Sequence, residues 1–326
     1  MTKTPMWVIG QGGMLGSCIA LQTKSRERFA LWKAPICKFS WHDERCLMAE
    51  MQASLLAFEA DVVSAGYSSW SVIWAAGAGT VSSSVEALQR ETRVLMEFLT
   101  CLGRRSRLVE LAGVVFFSSS AGAIYGASRE EITESSITLP ISEYGKQKLE
   151  QERAVVEFVA RHSGLRGLLG RISNLYGENQ NLHKPQGIIS QVSRSIIRRS
   201  PVHIYVPIDT IRDFMHVNDC ADQIVECLSG MVFQKLRVPT QTVVKIFASQ
   251  RATTLAEIIG IFARIARQHP RIICSAHSDG SRHVRSVRFR SHVWPDSSIK
   301  PQRPLPFGIF QVHARHLLLH GKGQLP

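Results

Sequence analysis

The chain has no long apolar run. Nothing in its 326 residues approaches the ~18 uninterrupted apolar residues that cross a bilayer, so no membrane-spanning helix is expected. Lys3 precedes an apolar stretch, but glycines interrupt that stretch at once, and a signal peptide is not expected either. Cysteine is sparse: seven copies lie scattered without the paired spacing of a disulfide framework or a zinc site, the pattern of free thiols in a reducing, cytoplasmic setting. Cys37 and Cys46 in particular lack metal-ligand spacing. No internal repeat or low-complexity segment is present, which argues against a solenoid. Acid is also short, with 26 Asp and Glu against 39 Lys and Arg.

The resulting net charge of +13 favours anionic partners. Much of it falls in the last third, in stretches such as "RHVRSVRFRSH" (282–292). These residues spread over several expected elements and form no continuous arm. A solvated basic face that favours an anionic substrate therefore fits better than nucleic-acid binding. Arg282, Arg285, Arg288 and Arg290 face either a substrate cleft or water on this reading.

What is present is a regular alternation. Short apolar or β-branched runs at 6–10, 28–32, 37–41, 71–77, 111–120 and 165–173 read as strands. Between them, 14–24, 50–66, 82–103 and 142–164 read as helices. This order predicts an α/β fold with a doubly wound parallel sheet, covered on both faces. Beyond 177 the pattern loosens. Helices are expected at 186–201, at 217–231 with Asn218 or Asp219 as N-cap, and at 253–269, with a strand at 201–206. Residues 1–176 are thus expected to form the main α/β domain, to which 205–230 returns. The remainder of 177–326 forms a smaller α/β substrate domain.

"GQGGMLG" (10–16) lies between the first strand and the first helix. Gly10 permits a tight turn, Gly13 lets backbone approach a pyrophosphate, and Gly16 lets helix pack on strand, with Gly12, Met14 and Leu15 completing the loop. A dinucleotide cofactor is the expected ligand, which makes 1–176 a Rossmann-type dinucleotide-binding domain. An acid at the end of the second strand usually bonds the adenosine ribose. Lys33 stands there instead, which suits a 2′-phosphate and tilts the choice from NAD toward NADP; a solvated loop lysine is the other reading. Asp43 either accepts a bond from the adenine amino group or caps the following helix.

"FFSSSAGAIYG" (116–126) places Ser118, Ser119 and Ser120 at the C-terminal end of a central strand, where open α/β sheets bind ligands. In "YGKQK" (144–148), Tyr144 and Lys148 stand one helical turn apart. A phenol with a pKa near ~10 is a poor base at neutral pH. A neighbouring ammonium stabilises the phenolate, which can then take a proton from a substrate hydroxyl while a serine holds the same oxygen. Tyr-x-x-x-Lys alone is weak, but chance accounts poorly for all three signals in this order.

These stretches, with "WAAG" (74–77), "GRISNLYGENQN" (170–181), "IRDFMHVNDCAD" (211–222) and "FASQRATTLAEI" (247–258), resemble an extended short-chain dehydrogenase/reductase of the NAD-dependent epimerase/dehydratase family. The resemblance implies a nucleotide-sugar substrate, Tyr144 as catalytic base, Lys148 on the nicotinamide ribose, and Ser120, or Ser119, as the hydroxyl partner. It places Ala75, Ala76 and Gly77 along the cofactor and Asn174 and Arg212 on the nucleotide phosphates. It further implies a homodimer formed through helices 82–103 and 142–162.

The chain departs from that pattern in several places. The serine loop is one residue longer, helix 82–103 has no asparagine, and no Thr-Asp-Glu run follows strand 111–120, which speaks against a dehydratase. The expected activity is transient oxidation and epimerisation of a nucleotide sugar. Its rivals are an NADPH-consuming reductase and a non-catalytic dinucleotide-binding protein. Two further features carry less. His313, His316 and His320 share a helical face, either as a metal site or, better, as the exposed side of a C-terminal helix; "RRS" (198–200) meets a diphosphate or ends a solvated helix.

Overall fold

A computed structural model of the chain describes residues 3–126, 131–183, 186–233, 236, 240–274, 285–295 and 301–326. Its centre is a six-stranded sheet built from β1 (Thr4–Ile9), β2 (Phe29–Leu31), β3 (Ser69–Trp74), β4 (Ala112–Ser120), β6 (Leu165–Ile172) and β10 (Thr242–Phe247). The spatial order is β10-β6-β4-β3-β1-β2, and every pair is parallel. The chain runs from β1 outward to β2 and then returns to the other side of β1 as β3. This reversal opens a crevice at the carboxyl ends of β1 and β3, the usual ligand position in such sheets.

The strands are buried on both faces because helices cover both. Trp7 and Ile9 of β1 point into a core shared with α2 (Glu44–Ser64), α3 (Val85–Gly103), α4 (Ser106–Glu110) and α6 (Glu143–Ala160). Met6 and Val8 point the other way, toward α1 (Met14–Lys24) and α8 (Val217–Val232). The first core is aromatic, with Trp7, Trp32, Phe58 and Phe98 packed edge to face or tilted at 4.9–5.7 Å. The short α5 (Ala121–Ile124) follows the serines of β4, and β5 (Glu131–Ile132) lies beyond it.

A third core lies past residue 175. It joins α7 (Ile188–Arg198), β8 (Val202–Ile204), α9 (Leu255–Ala266), β12 (Ile272–Cys274) and α10 (Leu305–Gly321). Between the layers runs a small sheet of β7 (Asn174–Tyr176), β9 (Ile211–His216) and β11 (Ala252–Thr254), and β13 (Arg288–Phe289) pairs with β5. α8 packs on α1, and β10 extends the main sheet beside β6.

Three expectations are corrected. Residues 37–41 form no strand: the Ser40 amide and hydroxyl both bond the Glu50 carboxylate (2.7 and 2.8 Å), and Phe39 and Trp41 pack as a loop beside Trp74. The N-cap of α8 is His216, whose Nδ1 accepts the Asn218 amide at 3.2 Å, rather than Asn218 or Asp219. His313 and His316 are not exposed. They are buried against α7, with both Nδ1 atoms 2.9 Å from the Ser193 hydroxyl, while His320 faces water. Burial holds His316 as a neutral ring, its pKa lowered to about 4.

Candidate active site

The glycine loop sits at the reversal point. Gly10, at φ +91°, turns the chain after β1, and a Cβ there would lie 2.6 Å from the Ala76 amide nitrogen. A Cβ on Gly16 would lie 2.2 Å from the Gly10 carbonyl oxygen, so only glycine lets α1 start this close to the strand. The loop therefore packs against the backbone of Ala75 and Ala76. The first turn of α1 contains no acid, and Gly13 caps it without a side-chain bond. Its N-terminal amides and positive dipole end thus carry neither an acid nor a side-chain cap, a setting that suits an anion. Met14 and Leu15 open the helix. Gly12 has no atom within 4 Å of where its Cβ would stand, which leaves room above the loop.

Lys33 is exposed two residues past the end of β2. Asp43 takes the capping role: its carboxylate accepts the Cys46 amide at 3.0 Å, and this bond holds its pKa below the usual carboxylate value.

At the far side of the crevice, β4 carries Ser118–Ser120 to its carboxyl end, and α6 begins at Ser142, whose hydroxyl caps the Gly145 amide. Helix α6 lies tight against α5. A Cβ on Gly145 would fall 2.3 Å from the Ala123 carbonyl oxygen, so the glycine after Tyr144 lets the helix start close to the serine turn. The half-buried Tyr144 phenol lies beside Ser120, whose hydroxyl is close enough to favour the phenolate. Ser119 is buried instead, with its hydroxyl unpartnered in the protein. Of the two serines left open by the sequence, Ser120 is the one beside Tyr144.

Lys148 is buried, its ammonium 5.8 Å from the centre of the Tyr144 ring and 5.2 Å from that of Phe117. Its Nζ donates to Gln151 Oε1 at 2.9 Å, and Gln151 donates in turn to Thr92 on α3 at 3.1 Å. This chain fixes where the charge points.

Three acidic or basic residues at the site were not singled out from sequence. Glu91 of α3 accepts the amides of Ala78 and Gly79, each at 2.6 Å, and clamps the loop that follows β3. Its carboxylate also faces the Tyr–Lys pair. Burial, then the Glu91 charge, raise the Tyr144 pKa to about 12, against a smaller lowering from Ser120. Burial lowers the Lys148 pKa, while Glu91 and Glu152 oppose that shift. Glu152, one turn beyond Lys148, forms a buried bidentate pair with Arg171 of β6 (2.7–3.2 Å), and Arg171 donates to the Tyr125 hydroxyl at 2.5 Å. Helix α6, strand β6 and the end of α5 are thereby tied together around Lys148.

Glu91 gives a pH test. Glu91→Gln keeps an acceptor for the two amides but removes the charge. Loss of a neighbouring anion lowers the pKa of both the phenol and the ammonium, so the whole pH–rate profile should move toward acid. An unmoved profile would mean that Glu91 acts on the loop alone.

The other expected contacts are distributed as follows. Asn174 pairs across β7–β9 with Phe214, two residues from Arg212, which places Asn174 and Arg212 on one face of the small sheet. Asn174 donates to the Asp213 carbonyl and Arg212 to that of Ile211, both at 2.8 Å. Arg285 pairs with Asp209 and Arg290 with Glu131 (3.8 Å), and Arg288 is exposed; Arg282 lies outside the described residues. Arg198 is held by the Leu325 carbonyl at 3.0 Å at the far end of α7. Among the described residues, no cluster of three His, Cys, Asp or Glu side chains can hold a metal. No helix among them is long and apolar enough to cross a membrane.

A sequence model of the NAD dependent epimerase/dehydratase family matches residues 6–232. A UDP-glucose 4-epimerase of Azospirillum brasilense is 36% identical over 140 residues, which is 38% of each chain. A dTDP-4-dehydro-6-deoxyglucose reductase of Escherichia coli is 32% identical over 105 residues, 32% of this chain and 33% of that one. The chain thus spans little more than a third of the length of these curated relatives. In three dimensions, the UDP-glucose 4-epimerase of Thermus thermophilus, solved in complex with NAD, overlays with a TM-score of 0.73. The overlay covers 96% of this chain and 98% of that one at 19% identity, a likeness of fold.

Proposed function

The chain belongs to the NAD dependent epimerase/dehydratase family, and from that premise we propose that it is an NAD(P)-dependent epimerase of a nucleotide-activated sugar. The observation that carries the reading is the Ser120–Tyr144–Lys148 group facing a glycine loop across one sheet edge. The loop fits a dinucleotide: an acid-free helix start offers amides to a pyrophosphate, with open space above Gly12. NAD(P), when bound, takes a hydride from a sugar carbon and later returns it.

The chain's own residues supply the acid–base half. Tyr144 Oη, as phenolate, takes the proton of the sugar hydroxyl on the carbon being oxidised, and gives it back when the ketone is reduced. Ser120 holds the same oxygen. The Lys148 ammonium, fixed by Gln151, stabilises the phenolate and reaches the nicotinamide ribose. Asn174 and Arg212, on one face of the small sheet, hold the nucleotide phosphates. Ala75, Ala76, Gly77 and Ser118 line the cofactor, and Lys33 receives a 2′-phosphate where there is one. Dimerisation through α3 and α6, a cytoplasmic location and a place in polysaccharide biosynthesis complete the proposal.

A second reading is an NADPH-dependent keto-sugar reductase. The exposed Lys33 past β2, in place of an acid, and the likeness to the E. coli reductase favour it. An epimerase keeps its cofactor through both half-reactions. Denaturing the purified protein should therefore release close to one NAD or NADP per chain. A protein that purifies free of dinucleotide and binds NADPH only reversibly would favour the reductase.

A further inference from the structure

Helix α10 buries one side and shows water an apolar stripe. Leu305, Ile309, Val312 and His316 face the third core. Phe307 (51% exposed), Phe310 (51%), Leu317 (50%) and Leu318 (59%) do not. At about 100° per residue these four fall within roughly 100° of arc, with the small Ala314 between them. They make one continuous ridge rather than scattered exposed residues.

The surroundings of the ridge are basic. Arg315 and Lys322, both exposed, border it on one side. Residues 188–204, 255–274 and 301–326, which pack together as this layer, carry nine Lys or Arg and a single acid, Glu257, itself paired with Arg251. Exposed Arg198, Arg199, Arg264, Arg267 and Arg271 cluster at the carboxyl ends of α7 and α9 and the start of β12.

We propose that this face of α10 is a docking surface for an anionic lipid bilayer. An apolar stripe of Phe and Leu with cations at its rim is the pattern by which helices lie in a membrane interface. The stripe enters the acyl boundary while the arginines and Lys322 meet headgroup phosphates. A second copy of the chain is a poor occupant, because pairing two such faces would bring together two layers that each carry nine cations and one acid. The surface is separate from Tyr144, so the inference stands whichever reaction the site performs.

The test is co-sedimentation with sucrose-loaded vesicles of phosphatidylcholine, with and without phosphatidylglycerol. The folded protein should bind only the phosphatidylglycerol vesicles, and less as salt rises. The double variant F310S/L318S and the charge variant R315Q/K322Q should each weaken partitioning by at least about tenfold. Both sets are solvent-exposed, so melting temperature should not change. Lack of lipid binding by the folded wild type, or equal binding by both variants, would overturn the proposal. So would a dimer in gel filtration that F310S/L318S dissociates without any vesicle binding, which would assign the ridge to a second copy.

Discussion

Tyr144→Phe lowers turnover by roughly 10²–10⁴-fold, the usual contribution of a positioned acid–base group, while dinucleotide binding stays within a few-fold. The ring that packs at the start of α6 is kept, and only the hydroxyl beside Ser120 is lost. In the free protein the Tyr144 phenol holds its proton tightly, with a pKa of about 12. Proton removal then depends on charges brought near it: the Lys148 ammonium and, with cofactor bound, the positive nicotinamide ring. Wild-type turnover should accordingly rise with pH through an apparent pKa below that value, and the Phe variant should lose this dependence. Steady-state rates across pH, with dinucleotide binding measured by fluorescence quenching, check both halves. A Phe variant with unchanged turnover would assign the chemistry to another group.

Glu152→Ala destabilises the fold by about 3–5 kcal/mol, because it leaves the Arg171 guanidinium charged and unpaired in the interior. The two side chains are 3% and 8% exposed, so water cannot take over the role of either partner. That loss is a large share of the ~5–15 kcal/mol by which most proteins stay folded. The pair spans α6 and β6, and through Tyr125 it reaches the serine turn, so its loss also frees Lys148 from its setting. Replacing both partners together, as E152L/R171M, removes the charge along with its counter-charge and should recover most of the stability. Urea unfolding of the two variants checks the pairing. Equal loss in both would mean that packing, not charge, carries the effect.

The first half of the molecule was legible in the sequence because its strands are short apolar runs stopped by glycine or serine. The loop at 10–16, the serines and the Tyr–Lys turn came from spacing alone, since each depends on near neighbours in the chain. Residues 37–41 misled for a physical reason. Cys37, Phe39 and Trp41 alternate as a strand does, yet Phe39 packs on Trp41 and Trp41 on Trp74, and the Glu50 carboxylate takes the Ser40 amide out of any ladder.

Glu91 was not legible. It sits among mixed charges on α3, and its role arises only when the chain after β3 folds back to offer it two amides. The choice between Ser119 and Ser120 likewise needed the direction of β4 against the start of α6. The burial of His313 and His316 required α10 to be seen against α7, because a lone Ser193 on another helix leaves no mark in the spacing of the histidines.

The central claim is that hydride leaves the substrate and comes back within one active site. It is tested by proton NMR of a panel of UDP-, GDP- and dTDP-sugars incubated with the purified protein, with absorbance of the nicotinamide followed in the same tube. The account predicts that one sugar is converted to its epimer with no net change in NAD(P)H. Consumption of one NADPH for each sugar reduced, with no epimer formed, would contradict it.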